Sequence, residues 1–147
     1  MKGHPEKFRD IYSWERLKQA LARGREVHDK RFNVTASFAS GEESGSLKPM
    51  FEADLGQVSE LLDTGATVCI TNIHMADPDL ARWAQAIRGQ LNFTGTAGVN
   101  CYVSPDGSGL PMHYDKRVAT TLQIAGKKRW KFSTAPARAW PNHNATY

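Results

Sequence analysis

Nowhere does this chain of 147 residues run eighteen apolar residues together, so the sequence offers no membrane-spanning helix and the expectation is a protein with no membrane partner. Its first residues, Met1-Lys2-Gly3-His4-Pro5-Glu6-Lys7, lack the apolar core of a secretory signal, and a cytoplasmic address is expected. Cysteine is scarce. Cys69 and Cys101 both sit in apolar strand-like runs, which favours two reduced, buried thiols over a disulfide or a two-cysteine metal site. Internal repeats are absent, and so are an aromatic-interleaved groove and a recognition helix. The formal charge of +4 and pI near 9.2 therefore read as a mildly basic solvated surface rather than a nucleic-acid patch.

What remains is an ordinary globular composition, 40% hydrophobic and 23% charged, with length for one domain with its own core. Ser13 is placed to cap a helix to about Arg23, carrying Trp14, Leu17 and Leu21 on one stripe, with Gly24 as its stop. Residues 31–38 alternate like a strand, and Ser40 to Pro49 is a Gly/Ser/Glu-rich loop. Asp54 and Gln57 have the spacing of a capping box for a helix with Leu55, Val58, Leu61 and Leu62, stopped at Thr64-Gly65. Residues 66–72 read as a buried strand. Asp77 and Pro78 open the clearest helix, with Leu80, Trp83, Ala84, Ile87 and Leu91 at helical spacing. From Thr94 onward strands are expected at 98–104, 112–115, 118–125 and 127–134, with a turn at Pro105-Asp106-Gly107-Ser108-Gly109. Helices followed by antiparallel strands predict an α+β fold with a β-barrel or sandwich core.

The chemistry concentrates between Asn100 and Trp130. His113 and Asp115, two apart on a strand, share a face and can grip one metal ion, which supplies two ligands of a 2-His-1-carboxylate triad suited to non-haem Fe(II). Asn100 and Tyr102 share the polar face of the 98–104 strand. Lys128 falls with Trp130 and Phe132 on one face of the last strand, opposite Lys127, Arg129 and Lys131. A lysine in apolar company needs an anionic partner, and none is evident nearby in sequence, which points to a ligand; a one-residue register shift would make it a surface charge instead. His-x-Asp alone is a common triplet, and only its combination with Asn100, Tyr102 and Lys128 is specific.

The segments NCYVSPDGSGLPMHYD and LQIAGKKRW resemble the JmjC-type cupin oxygenases, and within them the ribosomal-oxygenase-like group. The likeness is specific over residues 98–132 and extends more loosely back to Asp54. It divides the chain into residues 1–53, poorly assigned, and residues 54–147, the N-terminal part of a JmjC/cupin domain or double-stranded β-helix. The resemblance implies an Fe(II)- and 2-oxoglutarate-dependent hydroxylase. His113 and Asp115 would be metal ligands, Lys128 would hold the distal carboxylate of 2-oxoglutarate with Tyr102 and Asn100 assisting, and Thr121 would line the pocket. Dioxygen would be the second co-substrate. A protein or peptide, a ribosomal protein among them, would be hydroxylated as 2-oxoglutarate is decarboxylated to succinate.

Two departures bear on that implication. Lys116-Arg117 follows the His-x-Asp where the family usually has acidic residues or histidine, so the pocket mouth is more basic. The family's second histidine lies on a later strand, whereas the histidine here, His143, stands in a turn-rich Trp140-Pro141-Asn142 context and reads as a loop residue. The expectation is a fragment cut within the barrel, whose exposed edge favours association, a homodimer included. Two alternatives stay open: a catalytically inactive cupin-like binding module, and another metal-dependent cupin enzyme such as an isomerase, with no need of Lys128 at a 2-oxoglutarate site.

Overall fold

A computed structural model describes residues 7–38 and 49–146. These fall into two compact units, residues 15–110 and residues 111–146 with 7–14. No helix among the described residues is long and apolar enough to cross a membrane. The expected loop at Ser40 to Pro49 lies outside the described residues apart from Pro49.

The first unit is built on a three-stranded antiparallel sheet in the order β1 (Asn33–Ser37), β2 (Thr67–Thr71), β3 (Cys101–Val103). Val34 pairs with Ile70 and Ala36 with Val68 across β1 and β2, and Ile70 pairs with Cys101 and Val68 with Val103 across β2 and β3. Cross-strand partners share a face. One side is consequently apolar, and Val34, Ala36, Val68 and Ile70 are all buried on it. The other side carries Thr35, Cys69 and Tyr102 in register. Residues 99 to 103 alternate as their sequence predicts, with Asn100 and Tyr102 exposed between half-buried neighbours.

Three helices flank the sheet in sequence, α1 (Trp14–Gly24), α2 (Leu55–Asp63) and α3 (Pro78–Gln90). In α1 the buried positions are Leu17, Ala20, Leu21 and Gly24, while Trp14 is exposed at the first turn. The helix stops at Gly24 as expected, without a left-handed conformation there. Gly24 is the last helical residue, and a Cβ there would meet the Phe32 ring at 2.3 Å, so it is glycine because an aromatic ring needs the space.

The capping box of α2 is formed as the sequence predicts. The Gln57 N–H donates to Asp54 Oδ1 at 2.9 Å, and the Asp54 N–H donates to Gln57 Oε1 at 3.0 Å. At the other end Gly65 adopts φ +84°, and the N–H groups of Gly65 and Ala66 donate to the carbonyls of Leu62 and Leu61, the paired bonds of a Schellman ending. Ser108 Oγ donates to the Gly65 carbonyl at 2.7 Å, so the expected 105–109 turn, with Gly107 at φ +81°, is tied to the end of α2.

Asp77 caps α3, accepting from the N–H groups of Asp79 and Leu80. It is also the buried carboxylate of the unit, 2% exposed. Arg16 of α1 reaches it with two nitrogens, at 2.6 and 3.2 Å, and Arg23 donates to the Ala76 carbonyl. Burial alone would push the Asp77 carboxyl up; the bonds from Arg16, Leu80 and Asp79 outweigh it and hold the group below the usual carboxylate range. Thus α1 and β1, both ahead of residue 54, are built into the same packed unit as α2, β2 and α3. The stripe expected on α3 is only partly buried, for Leu80 and Ala84 are covered while Ile87 and Leu91 are exposed.

The second unit contains β4 (His113–Tyr114) and β5 (Ala145–Thr146), paired antiparallel with His113 opposite Thr146 and Tyr114 opposite Ala145. The Lys116 N–H extends the pairing by donating to Asn144 Oδ1 at 3.0 Å. Strands expected at 118–125 and 127–134 are not formed. A strand owes its backbone bonds to a neighbour, and among the described residues no strand lies beside this stretch. Alternating composition alone is insufficient. Gln123 and Ser133 instead bond the nearby carbonyls of Ala125 and Ala135, and Gly126 turns the chain at φ +69°.

Candidate metal and co-substrate site

Of the six residues singled out from the sequence, Asn100 and Tyr102 lie in the first unit, and His113, Asp115, Thr121 and Lys128 in the second. Each is described within its own unit.

His113 opens β4. Its Nδ1 lies 2.8 Å from the Pro111 carbonyl oxygen, and since a carbonyl can only accept, Nδ1 carries a proton there. In the neutral imidazole the lone pair then belongs to Nε2, the tautomer that can ligate a metal through Nε2. Asp115 follows two residues later, half-buried. An imidazole nitrogen and a carboxylate oxygen are donor types that a ferrous ion accepts. Among the described residues no three His, Cys, Asp or Glu side chains group closely enough to hold a metal by themselves.

His143 does not join the pair. Strand alternation puts Tyr114 on the side of β4 away from His113, and the His143 ring packs against Tyr114 with centroids 6.4 Å apart. Its Nδ1 contacts Asn142 Oδ1 at 2.6 Å, and the residue is exposed. The contribution of this segment is the backbone of β5 and the Asn144 side chain, neither of which the sequence signalled.

Lys128 is half-buried, with its Nζ 5.2 Å from the centre of the Trp130 ring. The apolar stripe expected around it is not a core: Trp130 is 49% and Phe132 80% exposed, and the two rings stack on each other at 6.1 Å. A strand covered on one face would bury such a stripe, and no strand forms here. Thr121 is exposed in the same irregular stretch.

In the first unit Asn100 has structural work. Its Oδ1 accepts the N–H of Asn72, a residue held at φ 55°, while the Asn72 side chain donates to the Arg31 carbonyl. The Asn100 amide nitrogen is left for another acceptor. Tyr102 is 48% exposed and stands opposite Cys69. Both thiols are free as expected, and burial pushes each up, Cys101 to about 12. That disfavours the thiolate form at neutral pH. Two surface grooves, of about 300 and 230 Å³, lie beside α2 and at the end of α3, and neither is lined by any of the six residues.

No curated protein and no solved structure matches the chain significantly. A family model does. The JmjC domain model matches residues 73–146, half of the chain, from the turn before α3 to β5, and spans all six of these residues. By that match, the chain belongs to the JmjC domain family.

Proposed function

We propose that this chain carries the iron- and 2-oxoglutarate-binding residues of a hydroxylase acting on a protein or peptide. JmjC domains are typically 2-oxoglutarate-dependent oxygenases. The observation that carries the reading to particular atoms is the Nδ1 contact of His113 with the Pro111 carbonyl, which reserves Nε2 for a metal within a His-x-Asp of the matched region.

His113 Nε2 and the Asp115 carboxylate would hold Fe(II). Lys128 would pair with the distal carboxylate of 2-oxoglutarate and Thr121 would line its pocket, with Tyr102 and Asn100 in the assisting role that the family resemblance implies. When bound, iron with 2-oxoglutarate and dioxygen supplies an oxidative decarboxylation that releases succinate and carbon dioxide and puts one oxygen atom into a C–H bond of the substrate. The Pro111 carbonyl fixes the orientation of the His113 ring, and the β4–β5 ladder fixes the backbone beneath it. The Lys128 ammonium lies 5.2 Å from the centre of the Trp130 ring, which sets its charge beside an aromatic face.

The absence of a third grouped ligand among the described residues favours a second reading, a cupin-like binding module that turns nothing over. Anaerobic Fe(II) titration with 2-oxoglutarate present, followed by a succinate assay, separates the two. An oxygenase retains iron and releases succinate, and loses both in His113→Ala and Asp115→Ala. Retention that survives either substitution would remove the ligand assignment, and a folded chain that neither retains iron nor releases succinate is the inert module.

A further inference from the structure

The strand that carries Tyr102, with Asn100 just ahead of it, is short. β3 pairs with β2 through Val103 with Val68, Tyr102 with Cys69 and Cys101 with Ile70, so the ladder ends before Asn100 is reached. Contacts from another segment set Val99 and Asn100 in place. The Val99 N–H donates to His74 Nδ1 at 3.1 Å, and the Asn72 N–H donates to Asn100 Oδ1 at 3.0 Å. His74 stands in the short helical turn Ile73–Met75, and Asn72 enters that turn at φ 55° and ψ 39°. Gly98 passes so close that an added Cβ would stand 3.2 Å from Asn72 Oδ1 and 3.3 Å from His74 Cε1. The Asn72 side chain in turn donates to the Arg31 carbonyl at 2.8 Å, which ties the turn to the segment before β1.

The direction of the Val99 bond determines what His74 can do. A backbone N–H only donates, so Nδ1 accepts with its lone pair, and in the neutral ring the proton sits on Nε2. His113 has the opposite tautomer, with Nδ1 protonated against a carbonyl and Nε2 bare. A protonated Nε2 does not ligate a metal, and the half-buried His74 ring is thus committed to holding backbone. We infer that His74 is a positioning residue for the co-substrate: its bond to the Val99 N–H, together with the Asn72 bond to Asn100, fixes the orientation in which Asn100 and Tyr102 meet 2-oxoglutarate. Both side chains respond to one backbone contact because residues two apart on a strand share a face and turn together. The inference rests on the co-substrate reading of Asn100 and Tyr102, and adds to it a residue that touches no ligand itself.

The test compares three variants of the full chain with wild type. His74→Leu keeps much of the bulk of the ring and removes the acceptor, whereas His74→Asn offers Oδ1 in the place of Nδ1. Asp54→Ala breaks the capping box of α2, a comparable loss of stability in the same unit on an element away from the turn. Calorimetric affinity for 2-oxoglutarate, measured anaerobically with Fe(II), should weaken about threefold to tenfold in His74→Leu, as expected for one lost hydrogen bond. It should recover in His74→Asn and stay at the wild-type value in Asp54→Ala. Two-dimensional NMR of the ligand-free chain should show the Asn100 side-chain amide and the Tyr102 ring signals displaced in His74→Leu and restored in His74→Asn. Urea denaturation confirms that each variant is folded. The inference is overturned if Asp54→Ala weakens binding as much as His74→Leu, since the loss then follows stability, or if the Asn100 and Tyr102 signals of His74→Leu match wild type. A wild type that binds 2-oxoglutarate no better than His74→Leu does overturns the inference alone, whereas a wild type that binds none overturns the co-substrate reading and the role of His74 with it.

Discussion

Residues 15–110 and residues 111–146 reach their conformations by different means. In the first unit specific partners answer both ends of α2, the start of α3 and both sides of β2: a capping box and a Schellman ending on α2, a doubly bonded N-cap on α3, and a central β2 paired with β1 and β3. Across the second unit the only ladder joins two strands of two residues each among the described residues, and the stretch between them relies on turns and on one stacked ring pair. His113, Asp115, Thr121 and Lys128 all belong to the second. Residues whose conformation depends least on packing can be exchanged for ligand-binding chemistry at little cost to folding. Substitutions in the two units should accordingly divide, with stability responding to one and ligand binding to the other.

The sharpest form of that division is at His113. His113→Ala should reduce Fe(II) retention by at least about a hundredfold, since a two-residue donor set that loses its imidazole keeps one carboxylate. Its urea midpoint should not move, because the side chain is exposed. Equilibrium dialysis and urea denaturation on the same preparation measure both. A variant that binds no iron because it has unfolded would erase the distinction between the units.

Asp77→Ala is expected to do the reverse. It removes the α3 cap, worth about 1 kcal/mol, and the charge-assisted bonds from Arg16, which keeps Asp79 at 3.6 Å, for a total of about 2–4 kcal/mol. The pH dependence follows from the depressed carboxyl. A group whose folded pKa lies below its unfolded value of about 4 stabilises fully above that value, and the contribution drains away as pH falls through the folded pKa. The stability gap between wild type and Asp77→Asn should therefore be constant near neutrality and narrow below about pH 4. A gap that persists unchanged into acid would show that Arg16 bonds Asp77 without holding its charge.

Lys128→Ala tests the co-substrate end of the second unit. Losing a charge-assisted contact to one carboxylate costs about 1.5–3 kcal/mol, so the KM for 2-oxoglutarate should rise about tenfold to a hundredfold while that for the hydroxylated substrate stays near its starting value. An equal rise in both would point to a general disturbance of the 127–132 stretch rather than to an anchor.

The same two regions separate what the sequence discloses from what it conceals. Caps, stops and turns are local: Asp54 with Gln57, Thr64-Gly65, Asp77-Pro78 and Pro105-Asp106-Gly107 each carry their signal within a few residues, and each forms as its residues predict. The alternation at 99–103 is legible because β2 lies beside it to make one face a core. Identical reasoning fails at 118–134, where alternation implies a covered face that only a distant strand can supply. Gly24 is concealed for a related reason, since the Phe32 ring that requires it arrives from a separate element. At the site, His113 and Asp115 are legible as a spacing, while the Pro111 carbonyl that sets the His113 tautomer and the Asn144 side chain that pins Lys116 are contacts no motif announces.

The smallest expected effect discriminates best between the units. Ile70 and Phe132 are both large apolar residues at positions whose alternation predicts a core, yet Ile70 is fully buried in the sheet and Phe132 is 80% exposed. Truncating a buried isoleucine to alanine removes transfer free energy and leaves a cavity, about 2–5 kcal/mol in all. Truncating Phe132 removes a ring that water already surrounds, and what is lost is part of a stacking contact with Trp130, about 1 kcal/mol or less. Ile70→Ala should thus lower the urea midpoint sharply and Phe132→Ala barely at all, with the m-value unchanged in the second. A loss above about 2 kcal/mol for Phe132→Ala would mean that in solution the 127–132 stretch has a covered face after all. The strand reading of that stretch would then be restored, and Trp130 and Phe132 would be core residues rather than an exposed stacked pair.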